Sequence, residues 1–251
     1  MNNILFALTL STMAGLSTLI GTVFIFIKIN NRNLNKFICF CLSFSIAVMI
    51  SISILDLIPT SFFEITNVYG VGKSILVLII SFFISYIIIT YLSNLIDKEN
   101  KGVDLYKLGI LNMIVLILHN LPEGIATFLS SYHSTSLGIK LSLAIMLHNI
   151  PEGISIAVPI YYATKSRKKA IKATFISGLS EPLGAILAFL FLKRFVSDVM
   201  ISIVLIVVAG LMITLSIQEM FPKVVKYNER KYLYLGLIIG TILVIINVLI
   251  S

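Results

Sequence analysis

Residues 139–163 read IKLSLAIMLHNIPEGISIAVPIYYA, and this stretch decides the fold. Roughly twenty-five residues, nearly all apolar, carry an α-helix across a hydrocarbon core about 30 Å thick. Yet the middle of the run holds His148, Asn149, Pro151, Glu152 and Gly153. The same pattern stands one helix earlier: LHNLPEGIA at 118–126 matches LHNIPEGIS at 147–155. Two successive membrane helices each carry a His-Asn-x-Pro-Glu-Gly motif at mid-depth.

Seven further runs of this kind surround or overlap the pair, giving helices at about 4–27, 37–59, 72–96, 108–130, 139–163, 170–192, 199–221 and 232–250. Of 251 residues, 58% are hydrophobic and 12% charged, about half the charge fraction of a soluble domain. The mean hydropathy is +1.05. Ten-residue alternating segments of a membrane β-barrel are absent, so the fold class is an all-α polytopic membrane protein with eight transmembrane helices. Residues 1–251 read as a single transmembrane domain without a soluble domain or linker. The stretch 97–107, DKENKGVDLYK, reads as a loop. The first run follows MNN without a basic region and is too long for a signal-peptide core, so no cleavable signal is expected. Cys39 and Cys41 lie two apart on a helix, pointing away from each other. They imply neither a disulfide nor a thiolate metal site.

The net charge of +8 is a matter of topology. Fifteen of the 19 Lys and Arg residues lie in the alternate loops 28–36, 97–107, 165–172 and 223–231, and the other loops hold Lys73, Lys140, Lys193 and Arg194. The positive-inside rule puts the basic loops in the cytoplasm and both termini outside the cell membrane. The lipid bilayer is the expected surroundings, and no nucleic-acid partner is implied.

A larger repeat encloses the motif pair. AGLSTLIGTVF (14–24) resembles SGLSEPLGAIL (177–187), and SISILDLIP (51–59) resembles TLSIQEMFP (214–222), both at an offset of 163 residues. Helices 1–3 therefore correspond to helices 6–8. Five helices separate each pair, so the copies cross the membrane in opposite senses, an inverted repeat of the kind through which many secondary transporters alternate access. Helices 4 and 5 lie between the copies, where such transporters bind substrate.

His119 and Glu123 are i and i+4, on one helix face, and His148 and Glu152 repeat the arrangement. Ionisable groups at mid-membrane are costly and face cavities rather than lipid. Two imidazoles and two carboxylates make a ligand set suited to zinc, iron, manganese or cobalt. Asn120 and Asn149 are each i−3 to the same glutamates, so one Glu per helix can bridge a His-side and an Asn-side ion. Glu181, near the middle of helix 6, is a third carboxylate, with Thr18 as its repeat counterpart. Pro122 and Pro151 should kink their helices by leaving the carbonyls of Leu118 and Leu147 without partners. Two competing readings are a helix N-terminus with an Asn cap and histidine as interhelical hydrogen-bond glue. Asp56 and Glu219 each precede a proline by three residues at a helix end. They read either as interfacial acids or as transport-path acids at the external and cytoplasmic mouths. His133 stands in the loop 131–140 as a solvated residue.

With these motifs the chain resembles the ZIP (Zrt/Irt-like) metal-transporter family, most closely its bacterial zinc-importing branch. The resemblance implies a binuclear site: one ion on His119, Glu123, His148 and Glu152, the other on Asn120, Asn149, Glu181 and the two bridging glutamates. It also implies a homodimer and a movement of helices 1, 4, 5 and 6 against 2, 3, 7 and 8. Divalent ions (zinc, and also iron, manganese, cobalt or cadmium) would be cargo rather than a cofactor. Unlike many relatives, the chain has no histidine in the loop between helices 3 and 4. The alternatives are an intramembrane zinc metallohydrolase, which lacks its His-Glu-x-x-His signature here, and a structural membrane subunit, which leaves the buried carboxylates unexplained.

Overall fold

The structure is a computed structural model that describes residues 2–99, 104–192 and 197–250. All its regular elements are helical. Eight spans are long and apolar enough to cross a membrane: Asn3–Phe26, Asn31–Tyr69, Val71–Ile96, Leu105–His133, Thr135–Thr164, Arg167–Phe191, Val199–Lys226 and Arg230–Leu249. They are called spans 1 to 8. The chain is a multi-pass membrane protein.

The spans depart from the sequence expectation where capping shortens the loops. The expected loop 131–140 contracts to Ser134, whose hydroxyl accepts from the backbone N–H of Leu137 at 3.4 Å and starts span 5 at once. His133 therefore ends a helix rather than standing in a loop, although it stays exposed. The 97–107 stretch is largely helical too, with helices running to Glu99 and from Asp104; its remaining residues lie outside the described residues, as do Lys193 and Arg194. Cys39 and Cys41 are buried packing groups.

Both His-Asn-x-Pro-Glu-Gly motifs lie inside uninterrupted helices, Asp104–His133 and Thr135–Thr164, which disposes of the N-terminal-cap reading. Each helix has 30 residues, about 45 Å at 1.5 Å per residue, with its histidine at mid-length. Pro159 leaves the carbonyl of Ser155 without its helical donor, and Asn112 Nδ2 from span 4 fills the position at 2.7 Å.

Apart from a π turn at Ala188–Leu192 in span 6, irregular backbone recurs at or near positions 163 apart. Span 1 is α-helical to Ser17 and tightens to a 3₁₀ helix over Thr18–Phe26, while span 6 breaks at Leu179 before resuming at Ser180. Span 2 widens to a π turn at Ser53–Leu57 and span 7 at Ser216–Met220. Asp56 and Glu219 lie in those π turns. The expectation that they end helices fails, because the π turn accommodates the following proline and the helix continues to Tyr69 or Lys226.

Glycine contacts sort the eight spans into two groups. A Cβ on Gly15 would collide with the Gly178 carbonyl oxygen, and a Cβ on Gly178 with that of Gly15. Gly153 receives the Thr18 carbonyl and Gly124 the Glu181 carbonyl, while Gly21 meets that of Ile150 and Gly184 that of Leu121. Each of these glycine contacts between spans 1 and 5 thus has a counterpart between spans 6 and 4, the pattern that a two-fold relation produces. Gly210 packs on Ser85 of span 3, and Gly236 and Gly240 pack on the Phe40 and Phe44 carbonyls of span 2. Ser53 Oγ lies 3.9 Å from Met212 Sδ, and Ser216 Oγ 4.0 Å from Met49 Sδ. Among the described residues, every interhelical glycine contact falls within spans 1, 4, 5 and 6 or within spans 2, 3, 7 and 8. The first group is termed the inner body and the second the frame. Polar contacts cross between them at Ser45 Oγ to the Pro151 carbonyl (2.7 Å), Asn247 Nδ2 to the Ala144 carbonyl (3.0 Å) and Lys107 to Glu219 (3.8 Å).

Candidate metal centre

The centre grows from the inner body. Close approach at Gly124 and Gly153 brings spans 6 and 1 against spans 4 and 5 at the level of the motifs. One helical turn separates each histidine from its glutamate, so the two motifs face each other with four donor side chains between them. His119 Nε2 lies 3.2 Å from Glu123 Oε1 and 3.2 Å from Glu152 Oε1, and His148 Nε2 lies 3.1 Å from Glu123 Oε1. Ligand atoms of His119, His148 and Glu152 all fall within 4.8 Å of one another. All four residues are buried.

Glu181 and the two asparagines lie beside this cluster. Asn149 Nδ2 donates to the Ala14 carbonyl and to Glu181 Oε2, both at 2.9 Å. Asn120 Nδ2 donates to the Ser177 carbonyl at 3.4 Å. Both amide nitrogens are thereby committed, which turns Oδ1 of each asparagine elsewhere. The Ala14 and Ser177 carbonyls, which orient these amides, precede the backbone breaks in spans 1 and 6. Sequence reading missed them because a carbonyl's direction leaves no mark in residue type.

The unsatisfied atoms give the chemistry. Asn120 Oδ1, Asn149 Oδ1, Glu181 Oε1, Glu123 Oε2 and both oxygens of Glu152 are buried without a hydrogen-bond partner. Although close to two carboxylates, His119 Nε2 also makes no aligned hydrogen bond. Buried acceptors in this number cost free energy unless a cation or protons satisfy them. Among the described residues no lysine or arginine reaches them. Borderline nitrogen and oxygen donors around one small volume can hold a divalent transition-metal ion.

The outlying residues divide. Asp56 is exposed on span 2, hydrogen-bonded to Thr60 at 3.4 Å, and within electrostatic reach of His148 and Glu123. Glu219 is held by Ser93 Oγ at 2.5 Å and by Lys223 at 3.2 Å. The sequence reading did not single out Ser93, Lys107 or Lys223. The two lysines had been counted as topology charges, but their spacing had a signal, since Lys223 is i+4 to Glu219.

Comparison with known proteins agrees with this arrangement. The family described as "ZIP Zinc transporter" matches residues 97–247, which include both motifs, Glu181 and Glu219. The chain belongs to the ZIP family. Zinc transporter ZupT of Oceanobacillus iheyensis is 39% identical to this ZIP chain over 99% of each sequence. The proteins of the same name from Clostridium perfringens and Streptococcus mutans are 35% and 33% identical, each over at least 96% of both sequences. The metallohydrolase alternative falls at this point: the family is one of transporters, and this ZIP chain is not an enzyme.

Proposed function

We propose that the chain imports divalent transition-metal ions, zinc foremost, from outside the cell into the cytoplasm by alternating access to the buried centre. One ion is held by His119, Glu123, His148 and Glu152. The second is held by Asn120, Asn149, Glu181 and the same two glutamates. The observation that carries this reading is the set of buried acceptors without partners at mid-span, a cluster that a cation completes and a purely structural bundle leaves unsatisfied. Asp56 receives the ion at the outer mouth and Glu219 stands at the cytoplasmic one.

The same reading covers the architecture. The two halves are an inverted repeat, supported by the shared offset of the backbone irregularities. The inner body carries the ions by sliding against the frame, supported by the confinement of close glycine contacts within each group. Both termini lie outside, following the basic loops. The protein is a homodimer in the bilayer, and the weakly buried span 3 leaves an apolar face for a partner copy or lipid.

The test is uptake by proteoliposomes of zinc in competition with iron, manganese, cobalt and cadmium. Saturable zinc uptake is the expected result. No uptake of any of the five by correctly inserted protein overturns the reading. Binding has a second signature: imidazoles and carboxylates ligate metal in their deprotonated forms, so zinc should release protons into weak buffer, and its affinity should fall as pH drops. A pH indicator follows the release on purified protein.

A further inference from the structure

Two repeat-related acids have acquired different companions. Asp56 has Thr60 one turn on, whereas Glu219 has Lys223 at the corresponding place, since both pairs are 163 apart. Glu219 Oε2 lies 3.2 Å from Lys223 Nζ and 3.8 Å from Lys107 Nζ, and Oε1 accepts from Ser93 Oγ at 2.5 Å. These are sheltered groups: the side chains of Glu219, Lys107 and Lys223 are 15%, 11% and 12% exposed. Ser93, Glu219 and Lys223 belong to the frame. Lys107 belongs to the inner body, twelve residues before His119 on the same continuous helix.

That placement makes the Lys107–Glu219 pair sensitive to position. A rigid helix moves Lys107 by the same vector as the centre it carries. A slide of a few ångströms along the membrane normal therefore parts an ammonium and a carboxylate now 3.8 Å apart, while Lys223 and Ser93 stay with Glu219. We propose that Lys107 is a positioning residue that latches the inner body to the frame through Glu219, and that this latch opens in each transport cycle. While it is closed, two tethered ammonium groups occupy Glu219 and keep a metal ion from lodging there. When it opens, Glu219 loses one of its two cations and gains attraction for an ion leaving the centre. This rests on the import reading above, because a latch between two bodies has work to do only if they move.

The experiment joins the two sides reversibly. In a background with Cys39→Ala and Cys41→Ala, the double variant Lys107→Cys/Glu219→Cys is reconstituted and treated with a short reducible bis-methanethiosulfonate linker. Zinc uptake should fall about ten-fold or more on linking and return on reduction, because a conformational step then limits turnover. Each single-cysteine variant should be unaffected by the linker. Linked protein that still transports within about two-fold of its reduced form overturns the latch. Should the reduced double variant be inactive, charge reversal decides. Lys107→Glu and Glu219→Lys should each change maximal uptake by about two- to five-fold, with the external zinc concentration for half-maximal uptake little altered, as suits one partly sheltered ion pair. The combined reversal should recover towards wild type and Lys107→Arg should resemble it. Additive losses in the combined reversal also overturn the proposal. Zinc uptake by the wild type is the control that separates this failure from failure of the import reading.

Discussion

Irregular backbone takes different forms beside the motifs of the inner body and beside the acids of the frame. In the inner body it tightens beside the motifs, where span 1 narrows to a 3₁₀ helix and span 6 breaks at Leu179; span 6 widens to a π turn only at its far end, Ala188–Leu192. In the frame it widens, through a π turn in span 2 and another in span 7, each bearing one acid and followed by a proline. Tightening suits a centre whose seven proposed ligands come from three helices and must keep their spacing. Widening places a carboxylate beside the inner body without committing it to the centre. On the proposed function, ion geometry belongs to one body and passage to the other.

The largest effect should come from the glutamates that bridge the inner body. Glu123→Ala or Glu152→Ala should lower zinc uptake by about 100-fold or more, since each removes a ligand from both ion positions. Near-normal uptake by Glu152→Ala at normal membrane abundance would dismantle the two-ion assignment. Asn120→Ala touches one position and should be milder, altering metal preference in competition assays.

Next come the glycines, which probe the close packing around the centre. Gly124→Ala and Gly153→Ala place a methyl group on the carbonyls of Glu181 and Thr18 and should destabilise the protein by about 1–3 kcal/mol. Gly72→Ala in the frame meets nothing within 4 Å and should stay within about 0.5 kcal/mol. Thermal unfolding in detergent measures both. An equal response at the three sites would count against the close helix contacts at Gly124 and Gly153.

A smaller effect separates the two acids of the frame. Asp56→Asn should raise the external zinc needed for half-maximal uptake by roughly three- to ten-fold, through loss of local attraction for cations. Glu219→Gln should act chiefly on maximal rate. Equal shifts in half-maximal concentration from both would remove their assignment to opposite mouths. Smallest of all, His133→Ala at the exposed end of span 4 should leave uptake unchanged within error.

The sequence made the spans and the centre legible because both rest on side-chain type. Apolar runs mark the helices, and His119, Glu123, His148 and Glu152 are ionisable where lipid forbids it. Helical spacing set Asn120 and Asn149 beside the same glutamates, and the family resemblance tied Glu181 to them. What stayed hidden depends on backbone. The prolines at 59 and 222 read as helix ends because a π turn has no residue signature, so the helix beyond them was left out of spans 2 and 7. The loop at 131–140 looked polar enough to be irregular, but a single serine cap reverses the chain. The narrowing of span 1 over TLIGTVFIF follows from its packing against span 5 at Gly21 and Gly153, a relation between distant positions.

The twin π turns also carry a history. A helix acquires such a turn by accepting one residue more than its α-helical register holds. A following proline gives each turn a local reason for its distance from Pro59 or Pro222, but Ser53–Leu57 and Ser216–Met220 also stand 163 residues apart, the offset of the repeated segments. On the proposed repeat, the insertion is older than the doubling of the gene, and an acid already stood in that turn. The ancestral half, entering the membrane in both directions and pairing with its own inverted copy, would have had the same acid at each mouth. Thr60 and Lys223 then mark where the two halves have since diverged, leaving a lysine beside one acid and a hydroxyl beside the other.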